Sequence, residues 1–168
     1  VRVFDAGRAL ELVVLSPLRE EFVFRVIVFY AAFVRYPSAP VAAAVANVLF
    51  ATVHLTNAFS LRFGTLYVML QVGLGFLVGL FYSLRFAVTG SVWEIVALHA
   101  VNNLAASFVP ADGSVDYSAP RILLPLAQTT VVYLFCCVAS YRQLRRMSQL
   151  EFRKRHPLVC RADDDKER

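Results

Sequence analysis

Five apolar segments, each close to the length of a membrane span, constrain the fold more than any other feature of this sequence. A transmembrane helix needs about 20 mostly apolar residues, and the segments cover residues 17–34, 41–59, 65–84, 91–109 and 120–141. A membrane barrel would instead require repeated ten-residue segments of alternating polarity, which are absent. The sequence therefore predicts an all-α, polytopic transmembrane helical bundle.

The composition excludes several other classes. Apolar residues make up 58% of the chain and charged residues only 17%, against roughly 25% charge in an average soluble domain. This composition excludes a disordered chain and disfavours an ordinary soluble domain. Of the three cysteines, Cys136 and Cys137 are adjacent within an apolar segment, so a disulfide scaffold is not expected.

Short polar or Pro/Gly linkers separate the apolar segments, so we expect one domain over residues 1–141. A polar tail follows over 142–168, basic at first and then acidic. The first helix has two alternative starts, one near Pro17 and one near Arg8 with Pro17 as a kink.

The charge of the chain is concentrated at one end. Nine of the 17 basic residues lie at or after Arg142, directly behind the last apolar segment. Such a cluster is typical of a juxtamembrane tail on the cytoplasmic side that contacts anionic lipid. We therefore expect the lipid bilayer as a partner and no nucleic acid, which would require a basic face on a soluble fold.

A few polar residues lie inside the predicted spans, where each Asp, Lys or Arg costs about 2.5–3.5 kcal/mol at mid-helix. Glu94 is explained as the partner of a Ser91 helix cap. The polar residues without such an explanation are Glu20, Glu21, Arg25, His54, His99, Asn102 and Asn103.

The spacing of these residues predicts how they meet. Glu21 and Arg25 are four apart and share a helix face, so they can form an ion pair, and His99 and Asn103 share a face in the same way. Because consecutive spans run antiparallel, their positions predict that Glu20, His54 and Asn103 lie in the same half of the bilayer. For any single residue, a packing role explains the sequence equally well.

Three short motifs carry a resemblance to a known family. Ser16-Pro-Leu-Arg-Glu-Glu-Phe-Val-Phe-Arg25 resembles the E-E-x-x-x-R motif of the CPBP family, which comprises the CAAX proteases and the bacteriocin-processing, ABI-like enzymes. Phe50-Ala-Thr-Val-His54 resembles its F-x-x-x-H motif, and His99-Ala-Val-Asn-Asn103 its H-x-x-x-N motif. The sequence around Glu20 is similar to that of the eukaryotic type II CAAX prenyl endopeptidase. However, Leu55-Thr-Asn57 stands where those enzymes usually carry further histidines.

The resemblance implies an intramembrane endopeptidase that cleaves near the C-terminus of prenylated proteins. By motif position, Glu20 would activate water, His54 would orient it, and His99 and Asn103 would stabilise the oxyanion, with Glu21 and Arg25 as a supporting pair. Family members usually have about eight spans, so we expect a fragment of such a domain. The implied membrane is the endoplasmic reticulum in a eukaryote or the plasma membrane in a bacterium.

A zinc ion is the alternative to a metal-free mechanism. Glu20, His54 and His99 form a two-histidine, one-carboxylate set of the kind found in catalytic zinc sites. The sequence has no H-E-x-x-H, and a water held by Glu20 and His54 accounts for the same residues, so we favour glutamate chemistry without a cofactor.

Two other functions stay open. The first is a non-catalytic or bacteriocin-immunity type of membrane protein from the same family. The second is a small transporter or proton relay, since intramembrane Glu and His also occur there. The side of substrate entry is also open, because the charge rule puts Arg35, Arg85 and the tail in the cytoplasm, whereas the depth of Glu20, His54 and Asn103 puts them in the other half. The sequence gives no indication of the oligomeric state.

Overall fold

The described part of the chain is a bundle of helices that contains no strand. This computed structural model describes residues 6–59, 64–108, 116 and 119–159. We number the helices α1 (residues 6–35), α2 (Ala39–Val53, continued by a 3₁₀ segment over His54–Phe59), α3 (Thr65–Thr89), α4 (Val92–Ala106), α5 (Pro120–Arg146) and α6 (Gln149–Arg155).

Within the described residues, three helices are long and apolar enough to cross a membrane, namely Ala39–Phe59, Thr65–Thr89 and Pro120–Arg146. They coincide with three of the five predicted spans, and the chain is an all-α helical membrane bundle. The other two predicted spans are also helical. However, α4 has 15 residues and is therefore about 22 Å long, short of a hydrocarbon core of about 30 Å. The predicted end of that span, residue 109, lies outside the described residues.

The first helix changes its hydrogen-bonding register twice. Segments Glu11–Leu15 and Phe22–Val28 are π-helical, and α-helical turns precede, separate and follow them. The Ser16 N–H donates to the Glu11 carbonyl, five residues back, and the Phe29 N–H donates to that of Phe24. Helix α1 is continuous from Ala6, which agrees with the earlier of the two predicted starts. Such π segments are frequent at functional sites.

Helices α2 and α3 pack closely at one glycine. A Cβ atom added to Gly79 would lie 2.4 Å from Oδ1 of Asn47 and 2.8 Å from Cδ1 of Phe50. Asn47 also donates through Nδ2 to the Phe76 carbonyl at 2.9 Å, which ties the two helices together. A Cβ at Gly75 would meet nothing within 4 Å, so the close approach needs a glycine only at Gly79.

The start of α4 is capped as the sequence predicts. The Ser91 Oγ accepts from the Glu94 N–H at 3.3 Å. The Glu94 carboxylate does not complete a reciprocal capping box, because Oε1 accepts from Nε of Arg85 at 2.6 Å. This ion pair joins the last turns of α3 to the first turn of α4.

The polar tail folds back onto the bundle through α6. Arg155 donates through Nη1 to the Val88 carbonyl at 2.6 Å, and Nε2 of His156 lies 2.9 Å from the Ala87 carbonyl. These are carbonyls of the last turn of α3, which lack partners within their own helix. Gly90 has φ +70°, and a Cβ there would lie 2.2 Å from the Arg155 carbonyl oxygen. The acidic end of the predicted tail lies outside the described residues.

Candidate active site

The three motif segments meet on helices α1, α2 and α4, inside the bundle. Glu20, Glu21 and Arg25 lie on α1 around the start of the second π segment, His54 directly follows α2, and His99 lies midway along α4. The side chains of Glu21, Arg25 and His99 are buried. Buried charges are stable only when they are paired or hydrogen-bonded, so the partners of these three side chains define the site.

The Glu21 carboxylate is the centre of the site. Its Oε1 lies 2.7 Å from Nδ1 of His99, and its Oε2 lies 2.8 Å from Nε of Arg25. The side chain of Glu21 is 0% exposed, and so is that of Arg25. Because an ionised carboxylate only accepts hydrogen bonds, the contact with Glu21 assigns the proton on Nδ1 of His99 and fixes the orientation of the ring.

Glu20 is the carboxylate that faces open space. Its side chain is 32% exposed, and Oε2 lies 3.8 Å from Nε2 of His99. Its other oxygen, Oε1, accepts a hydrogen bond from Oγ of Ser16, one turn earlier on α1. His99 therefore points one ring nitrogen at each of two adjacent carboxylates, one buried and one accessible.

Phe50 connects the two histidines. Its ring centroid lies 4.9 Å from that of His54 and 6.0 Å from that of His99. The Arg25 guanidinium carbon lies 5.0 Å from the same ring centroid, within the range of a cation–π contact. Nη1 and Nη2 of Arg25 have no hydrogen-bond partner among the described residues. This end of the buried guanidinium therefore packs against the face of the Phe50 ring.

His54 is partly buried and is held by its own helix. Its Nδ1 lies 3.0 Å from the Phe50 carbonyl, one turn back. Within the described part of the chain, no ring nitrogen of His54 comes within 4.0 Å of a Glu20 oxygen. Glu20 and His54 are thus not in direct contact, and the water predicted between them stays a prediction.

Asn103 contacts the backbone of α1 rather than another site residue. Its Nδ2 donates to the Leu12 carbonyl at 3.0 Å. This contact holds α4 against the first π segment of α1. The neighbouring Asn102 has a different partner, since its Oδ1 lies 3.4 Å from Oη of Tyr133 on α5.

The predicted zinc ligands do not form a ready ligand set. Among the described residues, no three His, Cys, Asp or Glu side chains are grouped so as to hold one metal ion. Glu20 and His99 approach each other, whereas His54 contacts the Phe50 carbonyl through Nδ1. A zinc mechanism would require Nε2 of His54, the ring nitrogen left for a metal, to come closer to Glu20 and His99.

The structure thus brings Glu20, Glu21, Arg25 and His99 together directly. His54 is linked to this group through the ring of Phe50. Asn103 is linked to it through its bond to the Leu12 carbonyl on α1. Sequence reasoning gave no role to Phe50, Ser16 or Tyr82. The first two were visible as i−4 neighbours of His54 and Glu20, but Tyr82, whose ring lies 5.8 Å from that of His99, had no signal in the sequence.

Comparison with known proteins identifies one matching family. The sequence model described as type II CAAX prenyl endopeptidase Rce1-like matches residues 4–105, a stretch that contains all three motifs. No curated protein and no solved structure matches the chain. Because the match covers more than half of the 168 residues, the chain belongs to the Rce1-like family of type II CAAX prenyl endopeptidases, which are peptidases of the membrane.

Proposed function

We propose that this protein hydrolyses a peptide bond near the C-terminus of prenylated proteins, with Glu20 as the general base. The observation that carries the proposal is the position of His99, with one ring nitrogen on the buried Glu21 and the other facing the accessible Glu20 at 3.8 Å. The arrangement places an ordered imidazole beside a carboxylate that water can reach, inside an otherwise apolar bundle.

The exposure of the two glutamates supports Glu20 as the base. Glu21 is 0% exposed, and both of its oxygens are occupied, by His99 and Arg25. Glu20 is 32% exposed, and its Oε2 has only the longer contact with His99. A general base must come within hydrogen-bond reach of the proton that it removes. Glu20 meets this requirement for a water in the site, and Glu21 does not.

The proposed reaction uses one water molecule and conserves protons. Glu20 removes a proton from water, whose oxygen attacks the carbonyl carbon of the scissile peptide bond. His99, as an imidazolium, stabilises the oxyanion through Nε2, since both ring nitrogens donate only in that form. When the C–N bond breaks, the proton on Glu20 passes to the leaving amine. His54 orients the attacking water from the side of α2.

The apolar surroundings support a prenylated substrate. Three helices of the bundle are long and apolar enough to lie in a bilayer, and a prenyl chain partitions into the same phase. The family supports the same substrate class, since it is named for CAAX prenyl endopeptidases. On this proposal the protein acts in the endoplasmic reticulum membrane of a eukaryote or in the plasma membrane of a bacterium.

The test is cleavage of a farnesylated CAAX peptide by the full chain, purified and reconstituted in liposomes. Release of the C-terminal tripeptide is measured by mass spectrometry. We expect Glu20→Gln to lower kcat by about 10²–10⁴-fold, the range for loss of a general base. Glu151→Gln, on α6, is the matched control and keeps its rate within about twofold, as expected for a group that does not act in the transition state.

Two results would overturn the proposal. One is a Glu20→Gln variant that cleaves at the wild-type rate. The other is a folded wild-type protein that releases no tripeptide, which would favour a non-catalytic or immunity-type role for the same polar residues. A peptide without the prenyl group is included, and equal cleavage of it would exclude the prenylated substrate class while leaving the peptidase activity.

A further inference from the structure

One backbone carbonyl next to the site lacks the hydrogen bond that a helix normally provides. In an α-helix the Leu12 carbonyl would accept from the N–H of residue 16, and in a π-helix from that of residue 17. The Ser16 N–H donates to Glu11 instead, because this segment is π-helical. Residue 17 is Pro17, which has no N–H. The register change and the proline together leave Leu12 without a helical donor.

Asn103 supplies the missing donor. Its Nδ2 lies 3.0 Å from the Leu12 carbonyl oxygen, although 91 residues separate the two positions. Asn103 is one turn beyond His99 on α4, so α4 is held to α1 at two points. One is the bond from Asn103 to Leu12, and the other is the contact of His99 with Glu21 at 2.7 Å. Because an unpaired carbonyl is costly wherever water does not reach it, the first contact gives Leu12 a partner that its own helix does not provide.

We propose that Asn103 is a positioning residue, which pairs with the carbonyl released by Pro17 and thereby sets the position of His99 relative to Glu20 and Glu21. This inference rests on the proposed function, since it assigns a role within the same site. It differs from a direct role in stabilising the oxyanion, for which the second N–H of the Asn103 amide would have to reach the substrate. Pro17 and Asn103 then form one functional unit, although they lie in different motifs.

The two roles make different predictions for Pro17→Ala. This variant has an N–H at residue 17, which can donate to the Leu12 carbonyl in the π register and so compete with Asn103. If Asn103 is a positioning residue, Asn103→Ala lowers kcat by about tenfold or more, Pro17→Ala alone also lowers kcat by loosening α4, and the two losses do not add in the double variant. If Asn103 only contacts the oxyanion, Pro17→Ala keeps kcat, and Asn103→Ala lowers it by the same factor in either background.

The experiment measures kcat for the farnesylated peptide in the wild type, both single variants and the double variant. A Pro17→Ala variant that is slower than the wild type, with a further loss of less than roughly threefold in the double variant, supports the inference. A Pro17→Ala variant at the wild-type rate, with the full loss on adding Asn103→Ala, overturns it. Since wild-type cleavage and its loss in Glu20→Gln are measured in parallel, failure of the proposed function is recognised separately.

A second readout covers the case in which Pro17→Ala does not fold. The pH profile of kcat is recorded for Asn103→Ala and for the wild type. If Asn103 positions His99, the inflections of the profile move, because the distances from His99 to Glu20 and Glu21 change. A profile that is only scaled down, with its inflections unchanged, is the signature of a lost oxyanion donor and overturns the inference.

Discussion

Nδ1 of His99 lies 2.7 Å from Oε1 of Glu21, although the two residues are 78 positions apart in the chain. The other oxygen of this carboxylate pairs with Arg25, so one buried anion orients the imidazole on α4 and neutralises the cation on α1. Glu20, the preceding residue, has the partly exposed carboxylate. The two consecutive glutamates therefore differ in environment. Glu21 is buried and orients other side chains, whereas Glu20 is accessible.

Glu21→Gln tests the structural role of Glu21. The substitution keeps the shape of the side chain but leaves the Arg25 cation buried without its anion. Removing one partner of a buried ion pair costs about 3–5 kcal/mol, and we expect the free energy of unfolding in detergent to fall by that order. Glu11→Gln is the control. Its exposed ion pair with Arg19 is expected to contribute about 0–1 kcal/mol. Equal losses for the two variants would contradict the central role of Glu21.

Much of this site could be predicted from the sequence, because charged residues within apolar segments are rare enough to be conspicuous. The i,i+4 spacing predicted the pairing of Glu21 with Arg25, which the structure contains. Glu20 was predicted to share a water with His54, which stays a prediction, whereas its contact with the His99 imidazole at 3.8 Å was not predicted. Spacing fixes neighbours along one helix, whereas contacts between helices depend on how the helices pack.

The backbone hydrogen bonding of α1 could not be predicted from the sequence. Pro17 was visible as a kink or a start, but its effect depends on the π register of Glu11–Leu15. That register depends on tertiary contacts and leaves no periodic signal. For the same reason the sequence did not predict the partner of Asn103 in the structure, the Leu12 carbonyl; the family resemblance implied only a role for Asn103 at the oxyanion.

Two glycines on α3 provide a matched test of the packing behind the site. Gly79→Ala would place a methyl group 2.4 Å from Oδ1 of Asn47 and 2.8 Å from the Phe50 ring. Overpacking of this kind costs about 1–3 kcal/mol, and a displaced Phe50 would also disturb His54 and His99. We expect lower thermal stability together with lower kcat.

Gly75→Ala is the control for that variant, because its Cβ would meet nothing within 4 Å. Alanine is favoured over glycine in a helix by about 1 kcal/mol. The Gly75 variant should therefore be as stable as the wild type or slightly more stable, with unchanged kcat. A Gly79→Ala variant with wild-type stability and activity would show that α2 and α3 can separate at no cost.

Chelation distinguishes the two mechanisms. Because Glu20, His54 and His99 are not grouped as one ligand set among the described residues, we expect cleavage to continue within about twofold of the untreated rate in excess chelator. An H-E-x-x-H zinc endopeptidase treated in parallel should lose its activity. Complete loss of cleavage in the present protein, restored by added zinc, would contradict the metal-free mechanism.

The attachment of the tail should depend on pH through His156. This side chain is buried, with Nε2 on the Ala87 carbonyl and Nδ1 on Oη of Tyr30, both at 2.9 Å. Burial lowers the pKa of His156 below its ordinary value of 6.5; the hydrogen bond to Ala87 opposes this shift, and the nearby Arg155 cation adds to it. The folded protein therefore holds the neutral ring, whereas the unfolded chain takes up a proton near pH 6.5.

His156 makes its full contribution to the free energy of unfolding above pH 6.5, the pKa of the unfolded chain. That contribution is lost as the pH falls toward the lower pKa of the folded state. One group contributes a slope of at most about 1.4 kcal/mol per pH unit. We expect the free energy of unfolding to decline below pH 6.5 more steeply in the wild type than in His156→Gln, which cannot titrate. The comparison cancels the contributions of all other titratable groups. Parallel pH dependences in the two proteins would show that His156 is not held neutral by its contacts with Tyr30 and Ala87.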